Sequence, residues 1–298
     1  MEASEIKIRC SALGHIMVGA QLAGSTQELN KGESDIIALV EKKRHDGKEP
    51  TQKQNEAYKA AVTKRDTPFK AKLSDGAKTH VQNMWYGQKF EYQKEFSTMA
   101  TRKGNAREND AIQQVAAMFG LPFAAKNQKF FENDYVHGMP DWLMMLNSRK
   151  IVPDIKCPWM PSGLDLFEQD KLKLIYEWQG KAYQWLTGFD HGLIIRVLMN
   201  PPDSEIYGLA LLFWEKAGNS RREPITEDFL YEVSEMYNFE RLPIEERVKI
   251  IRCDIEPDDP SLIIQQVGLM REEWKELDYK AKHTNKAELD FLLNRSSF

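Results

Sequence analysis

The sequence predicts an α/β fold in which a meander of short strands leads into a long helix and then further strands, with helical segments added at both ends. Three observations lead there. Residues 1–100 are mostly helix-like, broken by turn signals at Gly24-Ser25, His45–Pro50 and Asp66–Pro68. From 101 to 200 the texture changes to short apolar runs separated by turn residues, around two longer amphipathic stretches. Beyond 216, helix-like patterning returns around one strand-like run. The expected divisions are therefore 1–100, 101–215 and 216–298, packed as one integrated domain.

Within the middle region, GNARENDAIQQVAAMFG (104–119 with Gly120) places Ile112, Val115, Ala116 and Phe119 on one stripe, and Gly120 and Pro122 stop the helix. Strand-like runs follow at 128–131, 135–146 and 150–157, separated by turns at 132–134 and 147–149. A helix is expected over 166–187, ended by Gly188, then strands at 192–200 and 207–215 with Pro201-Pro202 between them. The remainder reads as a helix near 226–239, a strand at 247–254 and a charged helix from about 260. The most linker-like stretch is 45–55.

Composition excludes several classes. The chain has 298 residues, 42% of them hydrophobic, which is ordinary globular material. It has no apolar run long enough to span a bilayer, and MEASEIKIRC lacks the layout of a secretory signal. Cys10, Cys157 and Cys253 lie far apart without a CxxC pair, which argues against structural zinc, an iron–sulfur cluster or a disulfide framework. A reducing cytoplasm is the expected location. Net charge is −4, but residues 1–130 carry 21 Lys+Arg against 15 Asp+Glu, while 201–260 carry 7 against 15. A basic half is compatible with a nucleic-acid partner, because binding responds to the local patch; it is equally an ordinary solvated face.

Four short signatures occur in order: KGNARE (103–108), HGMPDW (137–142), PDIK (153–156) and QGKAY (179–183). An acid-x-Lys triplet alone carries little, since Glu5–Lys7, Glu41–Lys43, Asp46–Lys48, Glu273–Lys275 and Asp278–Lys280 repeat it. The one at 154–156 ends an apolar strand, so Asp154 and Lys156 project from one face and Ile155 from the other. A hairpin turning near 148 would set Asp141 opposite Lys156, with Asp154 on the neighbouring diagonal. Two close carboxylates repel unless a cation lies between them. Taken alone, the hairpin is equally well a simple Asp–Lys ion pair. Glu108 sits four residues before Ile112 and should face inward, where an acid needs a partner; an exposed first-turn Glu favoured by the helix dipole is the alternative. Gln179 and Tyr183 share a helix face, which by itself is only a polar helix edge. His137, before a glycine bend, is read as packing or a hydrogen-bond donor and not as a ligand. Carboxylates with a lysine favour Mg²⁺ or Mn²⁺ over zinc, and metal-assisted phosphodiester hydrolysis is the matching reaction.

Across about 101–200, this set of GxxxE, PD, DxK and QxxxY resembles the PD-(D/E)xK nuclease superfamily, in the branch of phage lambda exonuclease, YqaJ-type viral recombinases and RecB-type nuclease domains. IRCSALGHIM (8–17) also resembles the start of the YqaJ-type proteins. The resemblance implies a restriction-endonuclease-like core, a central mixed sheet flanked by helices. It implies metal ligation by Asp141, Asp154, the Ile155 main-chain carbonyl and Glu108, a catalytic role for Lys156, and support from Gln179 and Tyr183. Arg9 and Ser11 become contacts for a DNA end phosphate. The implied activity is a Mg²⁺-dependent exonuclease on duplex DNA ends in phage-type recombination or repair, beside a single-strand annealing protein and as a homotrimeric ring. A repair or defence endonuclease and a non-catalytic DNA-end-binding protein are the competing readings.

Overall fold

The structure, a computed structural model, describes residues 2–92, 97–166 and 173–284. The chain divides into two compact units, one built from Met1–His15 with Asn83–Pro257, the other from Ile16–Gln82 with Asp258–Phe298.

The first unit is organised by a mixed four-stranded sheet. Strands β4 (Met144–Leu146) and β5 (Arg149–Lys156) form an antiparallel hairpin. From β5 the chain crosses through helix α6 (Leu174–Thr187) to β6 (His191–Val197), which runs parallel to β5, as a β–α–β crossover permits. Strand β7 (Val248–Arg252) closes the order β4-β5-β6-β7 antiparallel to β6. A small second sheet joins β1 (Ile8–Arg9), β2 (Phe131–Glu132) and β3 (Val136–Gly138) in the order β1-β3-β2. Helix α1 (Cys10–Ile16) follows β1 directly, and its Gly14 lies so near Ile175 that an added Cβ would stand 2.3 Å from the Ile175 Cα. Helix α5 (Met99–Met118), capped by the Thr98 side chain, packs Ala111, Ile112, Val115 and Ala116 against Ile151 and Ile155 of β5 and Ile195 and Val197 of β6. The mixed sheet with flanking helices is the fold class expected from the sequence.

Several boundaries differ from expectation, each for a local reason. The run 135–146 is interrupted: β3 stops at Gly138, and the chain bends through Pro140 before β4 begins. The helix expected from 166 begins at Leu174, after a 3₁₀ turn over Pro161–Leu164; residues 167–172 of that expectation lie outside the described residues. The segment 207–215, expected as a strand, is part of helix α7 (Asp203–Lys216). Its signal is in the sequence: Ile206, Leu209, Ala210 and Phe213 recur at helical spacing, Asp203 and Glu205 favour a first turn, and Pro202 sits at the cap. Helix α8 (Glu227–Met236) packs against that stripe through Val233.

In the second unit, α2 (Lys31–His45) and α3 (Gln52–Asp66) form a helical hairpin, each opened by a reciprocal capping box, Asn30 with Glu33 and Thr51 with Gln54. The linker-like stretch is the turn between them, with Gly47 at φ +69. Helix α4 (Asp75–Lys89) begins in this unit, and α9 (Asp259–His283) buries Ile263, Val267, Met270 and Trp274. Among the described residues no helix is long and apolar enough to cross a membrane.

Candidate active site

The β4–β5 hairpin and α6 bring the sequence-selected residues to one cavity of about 680 Å³, lined by Glu108, Asp141, Asp154, Ile155, Lys156 and Gln179 among others. The hairpin turns on Asn147 and Ser148, both left-handed (φ 50 and 64), the two-residue turn whose twist suits paired strands. The register follows as Met144↔Ile151 and Leu146↔Arg149. Continued past the end of β4, this register sets Asp141 level with Asp154 and not with Lys156. The expected register was two residues out, because the turn spans only 147–148. A shift of two preserves the face, so the same side chains still converge.

Asp154 is 1% exposed. Its Oδ1 accepts from Gln179 Nε2 at 2.9 Å, and its Oδ2 faces the Lys156 ammonium at 2.5 Å as an ion pair without an aligned hydrogen bond. Asp141 Oδ2 accepts from the Ile155 N–H at 2.8 Å. Ile155 turns its side chain into the core, as strand alternation requires. Burial first, and then the Asp154 charge, push the Asp141 carboxyl up to about 8; Lys156 opposes the rise and Glu108 adds to it. Burial works against the Lys156 ammonium, but the Asp154 and Asp141 charges outweigh it and hold its pKa above the ordinary lysine value.

Glu108 lies on α5 one turn before Ile112, half-buried, and ion-pairs with Lys126 at 2.7 Å. Tyr183 is buried; its hydroxyl donates to the Met139 carbonyl at 3.2 Å, and burial followed by the Asp154 charge keeps it a protonated phenol. Arg9 and Ser11 are exposed and are not among the described residues lining the cavity. His137 pairs with Arg9 across β1 and β3, and burial, then the Arg9 charge, lower its pKa. Among the described residues, no three His, Cys, Asp or Glu side chains form a ready-made metal cage. Each carboxylate is held by a protein donor.

Three residues escaped the sequence reading. Tyr176 lines the cavity and sets its ring 5.4 Å from Lys156 Nζ. It precedes Gln179 by three, so helical spacing could have found it. Lys103 is fully buried and donates to the carbonyls of Pro158 (2.9 Å) and Trp159 (3.3 Å), which line the cavity; burial pulls its ammonium down to about 8. It stands two turns before Ala111, on the inward stripe, a position usually read as a solvated lysine. Arg196 is 3% exposed and ion-pairs with Asp165, another contact that no local pattern announces.

A mixed sheet whose acid-bearing hairpin and crossover helix present Asp141, Asp154, Lys156 and Gln179 to one cavity is the arrangement expected from the four signatures. Among solved structures the chain is similar to a phage-related exonuclease from Haemophilus somnus 129PT, with a TM-score of 0.60 over 93% of this chain and 97% of that one, at 22% identity. It is more loosely similar to an alkaline exonuclease, LHK-Exo, from Laribacter hongkongensis, at TM-score 0.48 and 13% identity over 72% of this chain and 88% of that one. No protein-family model and no curated protein matches the chain. The recognition drawn from the four signatures is thus borne out at the level of the fold.

Proposed function

We propose that this chain is a Mg²⁺- or Mn²⁺-dependent DNA exonuclease that hydrolyses phosphodiester bonds at duplex ends, in phage-type recombination or repair. The observation that carries the reading is the convergence of Glu108, Asp141, Asp154, Lys156 and Gln179 on one cavity, in a fold similar to a phage-related exonuclease along nearly its whole length.

The residues fit a hard divalent cation. Three carboxylates line the cavity; burial and like charge push that of Asp141 up to about 8, and the buried Asp154 Oδ2 has only the Lys156 ammonium against it. Asp141, Asp154, the Ile155 carbonyl and Glu108 would hold the ion. Bound there, it would supply positive charge to the phosphodiester and acidify a nearby water. The protein's own groups do the rest. Gln179 fixes the Asp154 carboxylate, and the Ile155 N–H fixes that of Asp141. Lys156, an ammonium at neutral pH, pairs with Asp154 at 2.5 Å, is further held charged by Asp141, and would stabilise negative charge building on the phosphate. Tyr183 ties down the segment leading to Asp141. Arg9 and Ser11, exposed on β1 and α1, would contact a DNA end phosphate. A single-strand annealing protein, a homotrimeric ring and the cytoplasm complete the proposal.

End-labelled linear duplex and covalently closed circular DNA, each with and without Mg²⁺, test it. Mononucleotide release from linear DNA alone, only with the metal, is expected. Cutting of closed circles would favour an endonuclease, and tight end binding without any release a non-catalytic protein.

A further inference from the structure

Helix α6 carries Tyr176, Gln179 and Tyr183 at positions i, i+3 and i+7, so all three lie along one stripe of the helix. Each addresses a different group of the site. Gln179 Nε2 donates to Asp154 at 2.9 Å. Tyr183 donates to the carbonyl of Met139, two residues before Asp141. Tyr176 presents its ring to Lys156, with Nζ 5.4 Å from the ring centroid. The first two contacts hold carboxylate-bearing segments; the third falls on the one ammonium among the selected residues.

Lys156 is the group that most needs such a restraint. Its stem is long and flexible, and its ion pair with Asp154 at 2.5 Å fixes one direction only. A ring face attracts a cation without consuming any of its N–H donors, which stay available to a phosphate oxygen. The contact lies at the cavity, where Lys156 and Tyr176 are both only partly exposed and the attraction is weakly screened.

We propose that Tyr176 is a positioning residue, whose ring face holds the Lys156 ammonium in place for the phosphodiester. The role rests on the nuclease reading above. It predicts that the ring matters and the hydroxyl does not.

Two measurements test it. Steady-state kinetics on linear duplex should show kcat falling on the order of tenfold in Tyr176→Leu with KM within about twofold, and Tyr176→Phe retaining kcat within about threefold, at melting temperatures close to wild type. Wild-type kcat in the Leu variant, equal losses in Phe and Leu, or a raised KM at unchanged kcat would each overturn the proposal. The second measurement needs no activity and no foldable Leu variant. In lysine-labelled wild-type protein, the Lys156 side-chain methylene next to Nζ, assigned by its loss in Lys156→Arg, should resonate upfield through the Tyr176 ring current. An unshifted methylene overturns the contact itself. An upfield methylene in a protein that releases no nucleotide overturns the nuclease reading while the contact stands.

Discussion

Acid–lysine pairs occur in both units but in opposite surroundings. In the helical unit, Lys64 reaches from α3 to Glu33 on α2 at 2.7 Å, with both side chains partly exposed. There the Lys64 hydrogen bond holds the Glu33 carboxyl below its ordinary pKa, the behaviour of a solvated ion pair. In the sheet unit, Lys156 meets Asp154 at 2.5 Å, but Asp154 is 1% exposed and Asp141 beside it is pushed up to about 8. Water makes the difference. Screened by solvent, an acid and a lysine neutralise one another at little gain or cost; walled off, two acids cannot both stay charged beside one lysine, and the Asp141 carboxyl is pushed up. A crowded, well-held cluster is what a cation and a phosphodiester could complete, so the two pairs should respond very differently to the same kind of substitution.

The largest contrast is catalytic. Asp154→Ala and Lys156→Ala should each lower nucleotide release from linear duplex by about a thousandfold or more, with circular dichroism unchanged. Lys64→Ala should leave release at the wild-type rate. Undiminished, Mg²⁺-dependent release in both sheet-unit variants would make their pair no more meaningful than the helical one. Next comes Gln179→Ala, which strips Asp154 Oδ1 of its hydrogen bond while leaving both charged partners in place. A loss of about 10- to 100-fold in the rate, the range for residues that orient metal-binding groups, is expected in the same assay. A wild-type rate would mean that burial and the ion pair alone hold Asp154.

How much of this was legible in the sequence depends on how local its cause is. Strand alternation in KIVPDIKC put Asp154 and Lys156 on one face and Ile155 in the core, as the structure has them. The inward tilt of Glu108 followed from its place on the Ile112 stripe, although its partner, Lys126, sits on another segment and was not foreseen. The hairpin register missed by two residues because Asn147 and Ser148 turn the chain in a tighter loop than the sequence suggested. The result survived only because a strand repeats every two residues. Helix α7 was mistaken for a strand where continuous apolar residues hid their helical spacing. Lys103 and Arg196 were illegible for a different reason: their partners, the Pro158 carbonyl and Asp165, lie 55 and 31 positions away in the chain. No local pattern carries that information.

Lys103 sharpens the comparison through pH. Enclosed by carbonyls and by the Trp159 and Phe239 rings, it loses its proton near 8 in the folded protein but only near the ordinary lysine value of 10.5 when unfolded. Through that window the unfolded chain binds more protons, so this residue's contribution to stability rises with pH, from a cost below about 8 to none above about 10.5. The span from about 8 to 10.5 is worth on the order of 3 kcal/mol. Denaturant melts at intervals from pH 7 to 10.5 should therefore show a rise in wild type that Lys103→Met lacks; parallel curves would show that the ammonium is better solvated than its burial implies.

The smallest effect should come from the pair in solvent. Lys64→Ala removes the ammonium but spares the Asn30–Glu33 capping box, so only the ion pair is tested. A melting temperature within about 1–2 °C of wild type is expected, shrinking further as salt is raised. The sign with pH is the same as for Lys103, since both folded pKa values are depressed, but the window lies in acid. A carboxyl whose folded pKa is depressed contributes stability above its unfolded pKa and loses it as pH falls through the folded one, so any difference between Lys64→Ala and wild type should vanish in acid. A large, salt-resistant loss at neutral pH would mean that water does not reach this pair as its exposure indicates. Solvent could then no longer explain why one acid–lysine contact lowers its carboxylate's pKa while the other sits beside a carboxylate whose pKa is raised.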